Sequence, residues 1–330
     1  LAKQTKVGYN LSEQNNNLMN TSIDFLGIKF PNPLVLCSGY LGVTASTWDN
    51  LAKKGAGGIT TKSIWLNEHK GHPNPVILAN EDFIINAVGV PDAGIKKAVE
   101  EFQEYLKRNN AAPLIVNIIG GKADDFVAIA EEVSKLKPQL IEVNMSCPNV
   151  EAEHGKPFAT DCPAAADLTR RLKKATDIPL VIKLSPNVED IKEIAKAVVD
   201  AGADGITAIN TYGPGMVIDI DSAQPILANK FGGVSGPGIK PLAMKHVFDI
   251  ASVVEAPIIG MGGIKTGRDA IEMMMAGATL IGVGSALYYR GDDAFKIILD
   301  EMIEWCEANG VKSFDEIIKK THKVLMTENL

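Results

Sequence analysis

The chain has 330 residues, 46% hydrophobic and 22% charged, with a formal net charge of -7. That acidic balance argues against nonspecific binding to nucleic acid or other polyanions. Four scattered cysteines (Cys37, Cys147, Cys162 and Cys306) without a CxxC pair exclude a disulfide framework and a cysteine-held zinc or iron–sulfur site, and fit a reducing, cytoplasmic setting.

From the start, residues 1–22 read as a polar, disordered lead-in without a signal-peptide core. No apolar run reaches the roughly 18 residues of a membrane span, so no membrane role is expected. Residues 23–330 read as one domain. Short β-rich runs follow at Leu34–Cys37, Gly58–Lys62, Leu114–Ile118, Ile141–Asn144, Leu180–Leu184, Ile206–Asn210, Ile258–Met261 and Thr279–Val283. They are continuous apolar runs rather than alternations, the pattern of a parallel sheet buried on both faces. Between them the spacing predicts helices over Asp124–Leu136, Ala164–Ala175, Val188–Ala201, Pro241–Val254 and Gly267–Ala276. Gly202 and Gly277 stand where two of these should stop. Eight β/α units without a composition break predict an α/β fold, a single (β/α)8 TIM barrel with long loops at its C-terminal face. An open doubly wound sheet is the alternative, weakened by the lack of a GxGxxG after the first strand.

Two connections, Ser63 to Asp92 and Thr211 to Ile239, are too long for plain turns and read as lids or binding loops. Both follow a strand, so both belong at the end of the barrel where such enzymes place their sites. Polar residues gather at that same end: Lys62, Asn117, Asn144, Lys183 and Asn210 each close a strand. Any one alone is an ordinary cap. Two lysines and three amides on one rim point to a site, with the ammonium groups facing an anion or an electron-rich ring. Gly260-Met-Gly-Gly-Ile264 and Gly282-Val-Gly-Ser285 place glycines after the last two strands, where barrels commonly bind phosphate. Cys37 and Cys306 read as core residues, and Cys162 as part of the loop before a helix. Cys147 differs. It stands beyond its strand between Ser146 and Pro148, and only His154 is a candidate imidazole partner, so a proton-abstracting base suits it better than a protease-type nucleophile.

Taken together, Thr61-Lys-Ser63, Asn86-Ala-Val-Gly89, Asn144-Met-Ser-Cys-Pro-Asn149, Lys183-Leu-Ser-Pro-Asn187, Ile209-Asn-Thr211, Gly236-Pro-Gly-Ile-Lys-Pro241 and Gly260-Met-Gly-Gly263 resemble class 1 dihydroorotate dehydrogenase, from about Ile23 to Lys320. The resemblance implies an FMN-bearing barrel that oxidises dihydroorotate to orotate in pyrimidine synthesis. It implies Cys147 as the base for the C5 proton, with Lys62 and Lys183 as further catalytic residues. Asn86, Ala87, Val88, Gly89, Val90, Asn144, Asn149, Asn210 and Thr211, with Lys62, would bind substrate. Ser38, Lys62, Ser63, Asn117, Asn144, Lys183, Ile209, Gly236, Gly262, Gly263, Gly284 and Ser285 would bind FMN. A cysteine at 147 points to class 1, since class 2 members carry serine there. Asn86-Ala-Val-Gly89 is similar to NAD-linked members, which are homodimeric and pass electrons to a partner subunit bearing FAD and a 2Fe–2S cluster. Fumarate-using members carry Asn-Ser-Met-Gly. Two departures stand out: Val76 where the family often has arginine, and Asp92 where it has asparagine, the latter expected to point away from the substrate carboxylate. A dihydropyrimidine dehydrogenase-type flavoenzyme and a Lys183 Schiff-base lyase or aldolase are the other readings.

Overall fold

The computed structural model describes residues 19–108, 112–146 and 158–328. Eight parallel strands close a barrel in chain order: Leu34–Leu36, Gly58–Thr60, Leu114–Ile118, Leu140–Asn144, Leu180–Lys183, Gly205–Ala208, Ile258–Met261 and Leu280–Val283. Every residue of these strands is buried, as their apolar runs require of a sheet covered by helices outside and side chains within.

The predicted helices form at Ala123–Ser134, Cys162–Ala175, Ile191–Asp200, Lys240–Ala251 and Gly267–Ala276. Asp190 and Thr266 cap two of them, accepting from the N–H groups of Lys192 and Asp269. The thiol residue assigned to a loop, Cys162, instead opens a helix, with Pro163 in the first turn where its missing N–H costs nothing. Gly277 ends the Gly267–Ala276 helix at φ 128°, a conformation that strains side-chain-bearing residues.

Two parts of the architecture are absent from the sequence reading. An antiparallel hairpin, Ile23–Phe25 with Ile28–Phe30, plugs the N-terminal end of the barrel. Gly58 and Gly205 stand at the feet of the second and sixth barrel strands. A Cβ on Gly58 would lie 2.7 Å from the Phe30 ring, and one on Gly205 would lie 3.3 Å from Phe25. The two phenyl rings meet edge to face, centroids 6.2 Å apart.

At the opposite end, the two long connections are not plain loops. Ile77–Ala79 and Ile84–Asn86 from the first pair with Gly232–Ser235 and Tyr212–Gly215 from the second, giving a four-stranded antiparallel sheet over the barrel mouth. Ile85, Ala87 and Leu227 form a small apolar core of its own. Among the described residues, no helix is long and apolar enough to cross a membrane.

Candidate active site

Contacts between non-neighbouring strands fix which side chains face the barrel interior. Cys37 on the first strand meets Met261 on the seventh, sulfur to sulfur at 3.7 Å, and Thr207 on the sixth donates to Glu142 on the fourth at 2.7 Å. Such chords run only through the middle. The parallel register sets Lys183 beside both Asn144 and Thr207, and Asn117 beside Glu142, so all of these side chains share the interior face near the C-terminal mouth.

Two connected networks result. In the deeper one, Glu142 is fully buried and takes three partners: Asn117 Nδ2 at 2.5 Å, Thr207 Oγ1 at 2.7 Å and the Lys183 ammonium at 3.8 Å. The last distance is an ion pair rather than a hydrogen bond, which leaves the ammonium N–H groups to be directed elsewhere. In the upper network, Asn144 Nδ2 donates to Ser63 Oγ at 3.2 Å and Asn144 Oδ1 accepts from Ser146 Oγ at 2.8 Å. Asn210 Nδ2 reaches both Ser146 Oγ, at 2.5 Å, and Asn144 Oδ1, at 3.4 Å. Ser38 and Ser63 hydroxyls stand 3.4 Å apart. Four of the five polar strand ends expected from the sequence, Asn117, Asn144, Lys183 and Asn210, therefore line one mouth, and Lys62 takes part in neither network.

Lys62 donates its ammonium to the Pro91 carbonyl. Burial pushes that ammonium below the ordinary lysine range, and Asp92 partly offsets the effect. The Asp92 carboxylate is engaged by the backbone N–H groups of Trp65, at 3.1 Å, and Gly94, at 2.9 Å. It is thus held against its own loop yet still felt by Lys62. Burial drives the Cys37 thiol up to about 12, with Lys183 lowering it in part and Glu142 raising it, so it is an inert packing group.

The segment Asn86 to Val90 is stitched to its surroundings. Asn86 Nδ2 donates to the Gly233 carbonyl at 3.5 Å, Ala87 N–H to Val76, and the His72 ring to Ala87 O at 3.0 Å. The His72 N–H bonds Val88 O, and Trp65 Nε1 bonds Val90 O. Val76, one of the two departures noted in the sequence, takes part in this fastening through its backbone carbonyl. Gly89 has φ 73°, and a Cβ there would lie 2.7 Å from the His72 nitrogen. Thr211 packs its hydroxyl onto Gly233, so the two long connections meet there.

At the last two strands, Gly262 and Gly263 have φ of 131° and 75°. A Cβ on Gly263 would sit 2.9 Å from the Gly236 carbonyl, and one on Gly284 would sit 2.9 Å from the Tyr40 ring. Ile209 is buried beside Gly262, and Ser285 is buried at the start of Ala286–Arg290. Cys147, Asn149 and His154 lie outside the described residues. Sequence reasoning missed Glu142, Ser146 and Thr207. For Glu142 the signal was available, a carboxylate inside an otherwise apolar strand.

A family model for dihydroorotate dehydrogenase matches residues 20–305. The chain belongs to the dihydroorotate dehydrogenase family. The catalytic subunit of dihydroorotate dehydrogenase B (NAD(+)) from Methanocaldococcus jannaschii is 43% identical over 299 residues, covering 90% of this chain and 96% of that protein. The subunit of the same name from Pyrococcus abyssi is 40% identical, covering 92% and 99%. That from Geotalea uraniireducens is 40% identical, covering 90% and 96%. Kinship is therefore with class 1, subclass B, of the dihydroorotate dehydrogenases.

Proposed function

We propose that this chain is the FMN-bearing catalytic subunit of a B-type dihydroorotate dehydrogenase, oxidising (S)-dihydroorotate to orotate in de novo pyrimidine synthesis. The observation that carries the reading is the convergence of Asn117, Asn144, Lys183 and Asn210 at one end of a closed barrel, in a chain of this family.

The residues present fit FMN. Asn117 Oδ1 is a buried acceptor with no partner among the described residues, and the flavin's pyrimidine ring carries an N–H donor. The glycine turns at Gly262 and Gly263 exclude a Cβ and suit the close approach of a phosphate. Ser38, Lys62, Ser63, Asn117, Asn144, Lys183, Ile209 and Gly236 would line the ring and its side chain. Gly262, Gly263, Gly284 and Ser285 would hold the phosphate. Bound FMN supplies the two-electron acceptor for the hydride that leaves substrate C6.

The remaining work falls to the protein. Cys147 removes the C5 proton as a thiolate, a role open to a thiol of ordinary pKa held beside its proton donor and away from water. Asn86, Asn144, Asn149, Asn210 and Thr211 orient the pyrimidine through amide and hydroxyl hydrogen bonds. Ala87, Val88, Gly89 and Val90 shape the edge of its pocket. Lys62 meets the substrate's negative charge, and Lys183 stabilises the charge that builds on the cofactor.

A partner subunit carrying FAD and a 2Fe–2S cluster would supply the route from this chain's cofactor to NAD+. Asn86-Ala-Val-Gly89 and the kinship with NAD(+)-linked catalytic subunits support this over fumarate. A homodimer of this chain within a cytoplasmic heterotetramer is the expected assembly. The test is anaerobic addition of dihydroorotate to the FMN-loaded protein. Bleaching of the flavin followed by recovery with NAD+ only when the partner is added supports the whole reading. A flavin that keeps its colour under excess dihydroorotate rejects it, and recovery with fumarate alone rejects the acceptor.

A further inference from the structure

Glu142 has no place in the chemistry just described, yet it is the most buried charge at the site. A carboxylate taken out of water is costly unless its lone pairs are filled. Here they are filled from three different strands: by Asn117 on the third, Lys183 on the fifth and Thr207 on the sixth. Two of those partners are residues that would touch the cofactor. The carboxylate accepts only, so it compels Asn117 to turn its amide N–H toward it, which leaves Asn117 Oδ1 as the free, buried acceptor. The same carboxylate is the counter-charge within 3.8 Å of the Lys183 ammonium, in a region shut off from screening by water.

We propose that Glu142 is a positioning residue that acts through these two partners, setting the net charge beside Lys183 and the orientation of the Asn117 amide. The inference rests on the FMN reading above. Its consequence is electrostatic. With Glu142 ionised, the positive field of Lys183 at the cofactor is muted; with Glu142 made neutral, the field is full and the reduced, more negative cofactor is favoured. The acceptor at Asn117 is lost as well, because a neutral amide at 142 allows Asn117 to turn over and donate instead.

The test uses the FMN-loaded full chain and its variants Glu142→Gln and Glu142→Asp, with dye-equilibrated titration giving the flavin midpoint potential and fluorescence giving the FMN dissociation constant. Glu142→Gln is expected to move the potential to more positive values and to weaken oxidised FMN binding about tenfold, one well-placed hydrogen bond. Glu142→Asp keeps the charge and is expected to return the potential toward that of the unaltered protein. A residue that merely supports the fold would lower stability without moving the potential, and that result overturns the proposal. If Glu142→Gln does not fold, the pair Lys183→Met and Glu142→Gln/Lys183→Met decides. Their potentials should coincide, because with the ammonium gone Glu142 has no cation left to balance; a difference between them shows direct action on the cofactor and overturns action through Lys183. Failure of unaltered protein to bleach with dihydroorotate would count against the functional reading alone, since the potentials remain measurable with chemical reductant.

Discussion

The thiols of this chain divide by environment. Burial holds Cys37 up to about 12 and Cys306 to about 11, so neither yields thiolate near neutral pH. Brief treatment with iodoacetamide followed by peptide mass mapping should therefore leave those two intact. Cys147→Ser should cost about a hundredfold or more in turnover near neutral pH while FMN remains bound, because a hydroxyl is far the weaker base; equal rates across the pH range would remove Cys147 from the mechanism. Lys62 supplies a pH dependence. Its ammonium loses its proton below the ordinary lysine range, and only the protonated form attracts a carboxylate. Orotate affinity should be full below that pKa and fall as pH rises through it, and Lys62→Met should flatten the curve, as read from the ligand-induced flavin spectrum. At this scale much was legible: Lys62, Asn144, Lys183 and Asn210 announced themselves as polar residues ending apolar strands. Glu142 carried a signal too, a carboxylate inside an apolar strand, but its partners Thr207 and Asn117 stand 65 and 25 positions away and are met only in the folded barrel.

The elements themselves were readable wherever burial on both faces or a helical repeat leaves a local signature. All eight barrel strands form within a residue or two of expectation, and Gly267–Ala276 matches end for end. The sheet over the mouth leaves no such signature. Its strands Ile77–Ala79 and Ile84–Asn86 are three residues long, Ile77 is exposed, and Asn86 finds its Gly233 partner 147 positions away. Glycine makes that pairing possible, since a Cβ on Gly232 would stand 2.3 Å from the Asn86 carbonyl oxygen. Gly232→Ala should accordingly push the two connections apart and displace Asn86. Overpacking of this kind costs about 1–3 kcal/mol, so KM for dihydroorotate should rise about tenfold. FMN affinity, set deeper in the barrel, should change by less than about threefold, well short of the loss of a well-placed hydrogen bond. Steady-state kinetics beside a flavin titration would separate the two effects, and an unchanged KM would show that the sheet does not place the substrate segment.

Over the whole molecule, one apolar core runs from the plugging hairpin through the barrel and its helices to Phe314 and Ile317 near the C-terminus. The candidate site lies at one end of it and the hairpin plug at the other, so stability and activity can be perturbed separately. Phe25→Ala should lower unfolding stability by about 3–5 kcal/mol, the usual cost of deleting a buried phenyl group, and leave the flavin potential of the folded protein unaltered. Chemical denaturation with a redox titration of the same sample checks both halves. The plug was not legible beforehand because a pair of three-residue strands resembles any surface hairpin until its rings are seen against Gly58 and Gly205. That placement also has a temporal consequence. Phe25 and Phe30 leave the ribosome before every strand of the barrel, but the seat for Phe25 does not exist until Gly205 has been translated. Throughout that interval the nascent chain must carry the Phe25 ring without the strand foot it packs on, and it is then, rather than in the finished enzyme, that a chaperone has most to shield.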